Sequence, residues 1–166
     1  IATEENDTVI SYYGNSKVQA LGGDDTITGS TGADEIYGGD GNDNINSGGG
    51  NDLINGGAGN DTLYGDTGND TYVYGIGYGN DVIGESYGGN KIKFVGLNPE
   101  DMCVSYPSGS IDAILTVIAS GETLTISNYR LKSQYRSFTL EFDDGVEMTL
   151  DDIGSPFLNV IATEEN

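Results

Sequence analysis

Single apolar side chains recur every nine residues through the first half of the chain, at Val9, Val18, Ile27, Ile36, Ile45, Ile54, Leu63 and Tyr72. Polar neighbours flank them, as in Asn44-Ile45-Asn46, so each reads as the one inward position of a three-residue strand. Aspartate stands two residues before the apolar position without a break at Asp25, Asp34, Asp43, Asp52, Asp61 and Asp70. Glycine stands two residues earlier still, at Gly23, Gly32, Gly41, Gly50, Gly59 and Gly68. The same frame runs back through Gly14, Ser16 and Val18 to Glu5, Asp7 and Val9. Forwards, it reaches Gly79, Asp81 and Ile83 after a two-residue insertion at residues 75–78, then Gly88, Asn90 and Ile92.

From about Phe94 the period changes to two. Ile111, Ala113, Leu115 and Val117 line one face of a strand, with Leu124 and Ile126 on the next and Ser120-Gly121 as the turn between. Phe138, Leu140 and Phe142 alternate up to Asp144-Gly145, with Val146, Met148 and Leu150 beyond, which reads as a second hairpin. The hexapeptide of residues 1–6 recurs at residues 161–166, an offset of 160 residues. Such an identity reads as a tandem array with a unit near 160 residues, the other reading being a deliberate duplication.

Nine residues that make one bend and one strand complete a coil in two repeats, so each loop stacks on the loop 18 residues away. The expected fold is all-β: a right-handed parallel β-roll over residues 1–93, an antiparallel, sandwich-like β domain over 94–153, and the start of a further unit at 154–166. One sheet of the roll should stack Val9, Ile27, Ile45 and Leu63 inward, facing Val18, Ile36, Ile54 and Tyr72 on the other. One aliphatic residue per strand makes a thin core.

Charge sharpens this picture. Twenty-seven acidic residues stand against 6 basic ones, net −21, which excludes a nucleic-acid backbone as partner and favours cations. Glycine makes up 27 of 166 residues and proline 3, a balance that suits repeated tight turns. There is no histidine, and the single Cys103, expected as a small buried residue, cannot form an internal disulfide. Zinc sites of the His/Cys type are therefore excluded. No stretch approaches the roughly 20 apolar residues of a membrane span. Residues 1–7, with Glu4, Glu5 and Asp7, do not look like a secretory signal, so export by another route or an excised segment is expected.

In Gly38-Gly39-Asp40-Gly41-Asn42-Asp43 the glycines allow a tight bend whose carbonyl oxygens face one point, and Asp43 adds an anionic oxygen. Calcium, which takes about six to eight oxygen ligands in irregular geometry, suits such a loop better than magnesium. Stacking pairs Asp7 with Asp25, Asp25 with Asp43, Asp43 with Asp61, Asp34 with Asp52, and Asp52 with Asp70. Ser16 opposite Asp34 brings no charge, so that position is expected to be weak or empty. Carboxylates a strand spacing apart, about 4.7–4.9 Å, repel until a cation lies between them. About five calcium ions are expected, and folding should depend on them.

These nonapeptides resemble the RTX (repeats-in-toxin) haemolysin-type calcium-binding family, strongly over residues 20–73 and loosely over 1–19 and 79–93. The resemblance implies that positions one to four of each repeat give backbone carbonyls and position six the carboxylate. Gly39, Gly41 and Asp43, then Gly48, Gly50 and Asp52, then Gly57, Gly59 and Asp61 match in full, and Gly68 with Asp70 continues the series. Gly65-Asp66-Thr67-Gly68 and Gly29-Ser30-Thr31-Gly32 depart at the second glycine, which bears on loop shape. The C-terminal strands resemble the β domain that follows such ladders in large multi-repeat bacterial proteins. The resemblance implies type I secretion and folding outside the cell.

The remaining motifs read as structure. Asp81 and Asn90, past the insertion, are expected as turn formers more than ligands, and Asp143-Asp144 as a hairpin turn. Arg130, Lys132 and Arg136 beside Tyr129 and Tyr135 are expected to pair with acidic surface, an anion- or carbohydrate-binding loop being the other reading. No histidine, reactive-cysteine context or Gly-x-Ser-x-Gly elbow is present, and the ladder takes up nearly all clustered acids, so no enzyme is expected. The expected role is a structural, adhesin-like unit of an extracellular or cell-surface bacterial protein, with neighbouring modules of the same protein as partners. A glycan- or protein-binding module, or the export domain of a toxin, protease or lipase, are the alternatives.

Overall fold

A computed structural model describes residues 2–84, 86–129 and 138–153. The strands in chain order are β1 Thr8–Ile10, β2 Lys17–Gly22, β3 Thr26–Thr28, β4 Glu35–Asp40, β5 Asn44–Asn46, β6 Leu53–Ala58, β7 Thr62–Tyr64, β8 Asp66–Thr67 and β9 Thr71–Gly75. They continue as β10 Asp81–Ile83, β11 Ser86–Tyr87, β12 Lys91–Val95, β13 Met102–Ser105, β14 Ala113–Val117, β15 Thr123–Ile126, β16 Thr139–Glu141 and β17 Glu147–Thr149. A 3-10 turn at Pro99–Asp101 and a short helix α1, Leu150–Ile153, are the helical elements among the described residues.

Polar–apolar–polar triplets form the short strands, and from β1 to β7 successive strands alternate between two sheets, while β8 and β11 pair with each other as a separate two-stranded ribbon. One sheet holds eight strands in the order β1-β3-β5-β7-β10-β15-β14-β13, and the other seven in the order β17-β16-β12-β9-β6-β4-β2. Register follows the nine-residue period: Ile27 pairs with Ile45 and Ile45 with Leu63 in one sheet, Val18 with Ile36 and Ile36 with Ile54 in the other. Across the insertion the step lengthens while the stacks hold, with Leu63 beside Ile83 and Tyr72 beside Ile92. This is the expected parallel β-roll.

The C-terminal strands supply the expected antiparallel pairs, β13 with β14, β14 with β15, and β16 with β17. They close no sheets of their own. β15 lies parallel to β10 and β16 parallel to β12, so both sheets of the roll run on into them. The core thickens on the way. Ile27, Ile36, Ile45 and Ile54 are the thin interior of the roll, whereas Phe94 stacks on Phe142 at 4.8 Å and meets Tyr74 edge-on at 6.3 Å. Leu150 and Ile153 of α1 are buried at that end, where the helix packs on β13 and β17.

Cys103 departs from expectation. It is exposed, because in β13 Met102 takes the inward position and its neighbour turns outward. Asp143-Asp144 is the expected turn: Gly145 N–H donates to Phe142 O, and Asp144 Oδ1 accepts from Val146 N–H. Arg130, Lys132, Tyr135 and Arg136 lie outside the described residues, as does the tandem start at 154–166.

Candidate metal centres

Each coil places its position-six side chain at the entrance of a strand, pointing back under the preceding loop. There Oδ1 accepts the backbone N–H of the position-six residue one coil earlier. On one flank Asp7 N–H donates to Asp25 at 2.7 Å, Asp25 to Asp43 at 2.8 Å, Asp43 to Asp61 at 2.8 Å and Asp61 to Asp81 at 2.9 Å. On the other flank Ser16 donates to Asp34 at 2.6 Å, Asp34 to Asp52 at 2.8 Å, Asp52 to Asp70 at 3.1 Å and Asp70 to Asn90 at 2.8 Å. Every pairing expected from the spacing is present. Asp81 and Asn90, expected as turn formers, prolong both rows, because the insertion lengthens the loop without moving the strand that follows.

These carboxylates are buried: Asp25, Asp34, Asp43, Asp52, Asp61, Asp70 and Asp81 each expose 2% or less. One oxygen of each rung is used by the ladder. The second oxygen, Oδ2, of Asp25, Asp43, Asp52, Asp61 and Asp81 is buried without a hydrogen-bond partner. A buried carboxylate oxygen left bare is costly unless a cation or proton meets it. Burial accordingly pushes Asp43 and Asp61 up to about 6 and Asp81 up to about 8, and raises Asp52, with the neighbouring carboxylates adding to the effect. The sites attract positive charge.

The loop backbone brings a carbonyl beside the bare oxygen. A Cβ on Gly38 would lie 2.0 Å from Asp43 Oδ2 and 2.5 Å from the Gly56 carbonyl oxygen, and one on Gly56 would lie 2.0 Å from Asp61 Oδ2. Only glycine at the first position of these loops lets a carboxylate and a carbonyl approach this closely. Among the described residues no three acidic side chains converge, so a cation at any rung would draw on carbonyls as well. Those two donor types are what a hard cation takes, and the residues fit calcium.

The glycines named from the sequence carry the bend. Gly39, Gly41, Gly48, Gly50, Gly57, Gly59 and Gly68 all have positive φ, between 91° and 141°. Where the consensus fails the backbone answers in two ways. Asp66 takes φ 55° and keeps the bend, whereas Ser30 is not left-handed and its N–H and Oγ both donate to Asp34 Oδ2, at 2.7 and 2.9 Å. The serine thus satisfies in Asp34 the second oxygen that is bare in Asp43 and Asp61, at the rung with Ser16 that is expected to be weak or empty. Asp7 Oδ2 is likewise taken, by Thr3 N–H at 2.6 Å and Thr3 Oγ1 at 3.0 Å.

A second ladder was not read from the sequence. Position five carries Asn6, Asn15, Asp24, Asn42, Asn51, Asn60 and Asn69, whose Oδ1 accepts an N–H from the following coil, as Asn42 does from Asn60 at 2.9 Å and Asn51 from Asn69 at 2.9 Å. It runs opposite to the aspartate ladder and ends at Asn80, which accepts from Thr123 N–H and Oγ1. The signal was available: these positions repeat every nine residues too.

Parallel coils with rungs of buried carboxylate beneath glycine bends define a cation-binding β-solenoid. The sequence model of the RTX calcium-binding nonapeptide repeat matches in 4 copies, at residues 1–36, 19–54, 37–72 and 47–83. The chain belongs to this family, and its roll is a calcium-binding repeat module. No curated protein matches the chain closely enough to count as a relative.

Proposed function

We propose that this module is a structural unit of a secreted or surface-attached bacterial protein, folding outside the cell as about five calcium ions fill the roll. The observation that carries the reading is the set of buried, partnerless Oδ2 atoms at Asp25, Asp43, Asp52, Asp61 and Asp81. Five divalent ions would take the net charge from −21 to about −11. Extracellular calcium modules commonly work at about 10⁻⁴–10⁻³ M, so a roll of this kind would stay open where calcium is scarce and close where it is plentiful. The role is non-enzymatic. The recurrence of residues 1–6 at 161–166 supports repetition of the unit, which makes it a calcium-stiffened stalk segment in an adhesin-like array with like modules as neighbours.

The test is folding against chelation. Far-UV circular dichroism should show little β structure in EDTA and a gain at millimolar calcium, and calorimetry should count about five ions. An unchanged spectrum, or fewer than three ions per chain, overturns the reading.

A ligand-binding role has one observation on its side. A cleft of about 340 Å³ lies on the roll, lined by Tyr37, Asp40, Asn55, Ile76 and Tyr78 over Gly39 and Gly57. Its volume is at the low end of ligand pockets, and its mix of aromatic rings with an amide and a carboxylate suits a hydroxyl-rich ligand. Glycan-array binding lost on Tyr37→Ala would support this second reading.

A further inference from the structure

The insertion at residues 75–78 builds a wall that the nine-residue coils lack. It carries Ile76, which is 58% exposed, and Tyr78, which packs on the core, to the cleft at the ends of β4 and β6. Its shape is fixed by the protein alone. Glu122 accepts from Gly77 and Gly79 N–H at 3.2 Å each, Tyr74 Oη donates to Gly79 O at 2.7 Å, and Gly59 N–H donates to Tyr78 O at 3.0 Å. Tyr78 also meets Tyr74 edge-on at 6.0 Å. A wall held in this way needs little ordering when a ligand binds.

Tyr37, Asp40 and Asn55 supply the other side chains of the cleft, and Gly39 and Gly57 add none. Among the described residues that line it, Asp40 alone is charged. Asp40 stands at position three of its repeat, outside both ladders. It is exposed, and its carboxylate has no hydrogen-bond or ion-pair partner among the described residues. Asn55 Oδ1 is buried without a partner, an acceptor that a donor reached by a small turn of the amide would satisfy. Lys17 lies over the Tyr37 ring at 5.0 Å, but it is held by Glu35 at 2.8 Å and does not line the cleft. Both unmet groups are therefore acceptors. The chain around them, at net −21 and still about −11 with five calcium ions bound, repels anions.

We propose that this cleft binds a protonated amino sugar, with the ammonium on Asp40, hydroxyl donors turned to Asn55, and the apolar face of the sugar ring against Tyr37 and Tyr78. This rests on the ligand-binding reading above and names its ligand class. A neutral sugar uses the rings and the amide but leaves Asp40 unmet. A sugar acid meets Asp40 with like charge.

The test is a chemical-shift titration of the 166-residue chain in saturating calcium with three probes: methyl glucosaminide, its N-acetyl form and methyl glucoside. A single ammonium per molecule keeps non-specific attraction to the acidic surface small. Shifts should centre on Tyr37, Asn55 and Tyr78, and the amine should bind about fivefold more tightly than the other two, the worth of one exposed charge pair. Asp40→Asn should abolish that preference and leave the weaker binding common to all three probes. Ile76→Lys, at an exposed side chain, should do the same by setting a like charge beside the ammonium. No shift at these residues with any probe overturns the ligand-binding reading of the cleft, and the inference with it. Equal affinity for the three probes, or a preference that survives either substitution, overturns the amino-sugar assignment alone.

Discussion

At the scale of the residue, Asp43 does two opposed things. Its Oδ1 accepts the Asp25 N–H at 2.8 Å, a bond an amide could make equally well, while its Oδ2 is a bare buried charge. Asp43→Asn keeps the first and removes the second. The variant should therefore be more stable than the parent in EDTA and bind calcium on the order of tenfold more weakly, because ligand charge tunes affinity. Melting in EDTA and calorimetry in calcium read the two signs separately, and a shift of the same sign in both would refute the account. Asn90 shows that the ladder accepts the amide, since it receives Asp70 N–H at 2.8 Å. Asp43→Ala, which loses both functions at two stacked sites, should lower calcium-dependent stability more than Asp7→Ala. Asp7 is half-buried at the end of its row, and its second oxygen is already held by Thr3. Equal midpoints in calcium titrations of the two variants would count against this. The aspartates were legible because one residue type repeats in frame. The asparagine ladder repeats in the same frame, but its rungs other than Asp24 are neutral, so no charge argument calls attention to it.

At the scale of the element, the bend depends on glycine for two separable reasons. Gly57 has φ +109°, and a Cβ there would lie 2.0 Å from the Gly39 carbonyl oxygen of the coil below. Gly77 has φ +84° with nothing within 4 Å. Alanine at either position bears the left-handed penalty of about 1–2 kcal/mol. At Gly57 it must also push two stacked coils apart. Gly57→Ala should cost clearly more than Gly77→Ala in calcium-saturated thermal melts, and equal losses would mean that coil spacing is not rigid. The insertion that contains Gly77 was visible as a break in period, but its consequence was not. Glu122 accepts from Gly77 and Gly79 N–H at 3.2 Å each, pinning the extra residues from a segment more than forty positions away. Nothing local in residues 75–78 announces that partner. For this reason the sequence points to turn formers at Asp81 and Asn90, although the strands that hold or follow them resume the stack.

At the scale of the molecule, the hairpins of the C-terminal half were readable from Ser120-Gly121 and Asp144-Gly145, yet their attachment was not. Ile126 beside Ile83 and Leu140 beside Ile92 are parallel pairings between distant segments, and inward aliphatic residues look alike in every strand. The result is one continuous pair of sheets, thin and acidic in the roll and aromatic towards its end, and this asymmetry governs how stability responds to pH. In the calcium-free roll Asp43 and Asp61 titrate near 6 and Asp81 near 8, above the usual carboxylate value of 3.8. Folding then takes up protons, so the stabilising contribution is fully present below about pH 4 and is lost as pH rises through 6 to 8. Calcium replaces those protons, so its affinity should rise over the same interval. In EDTA the chain should show more β structure at pH 5 than at pH 8, and millimolar calcium should reverse the order. A calcium-free spectrum that does not change between pH 5 and pH 8 would show that the buried carboxylates are not what opens the roll, and that the cation serves the loops rather than the charge.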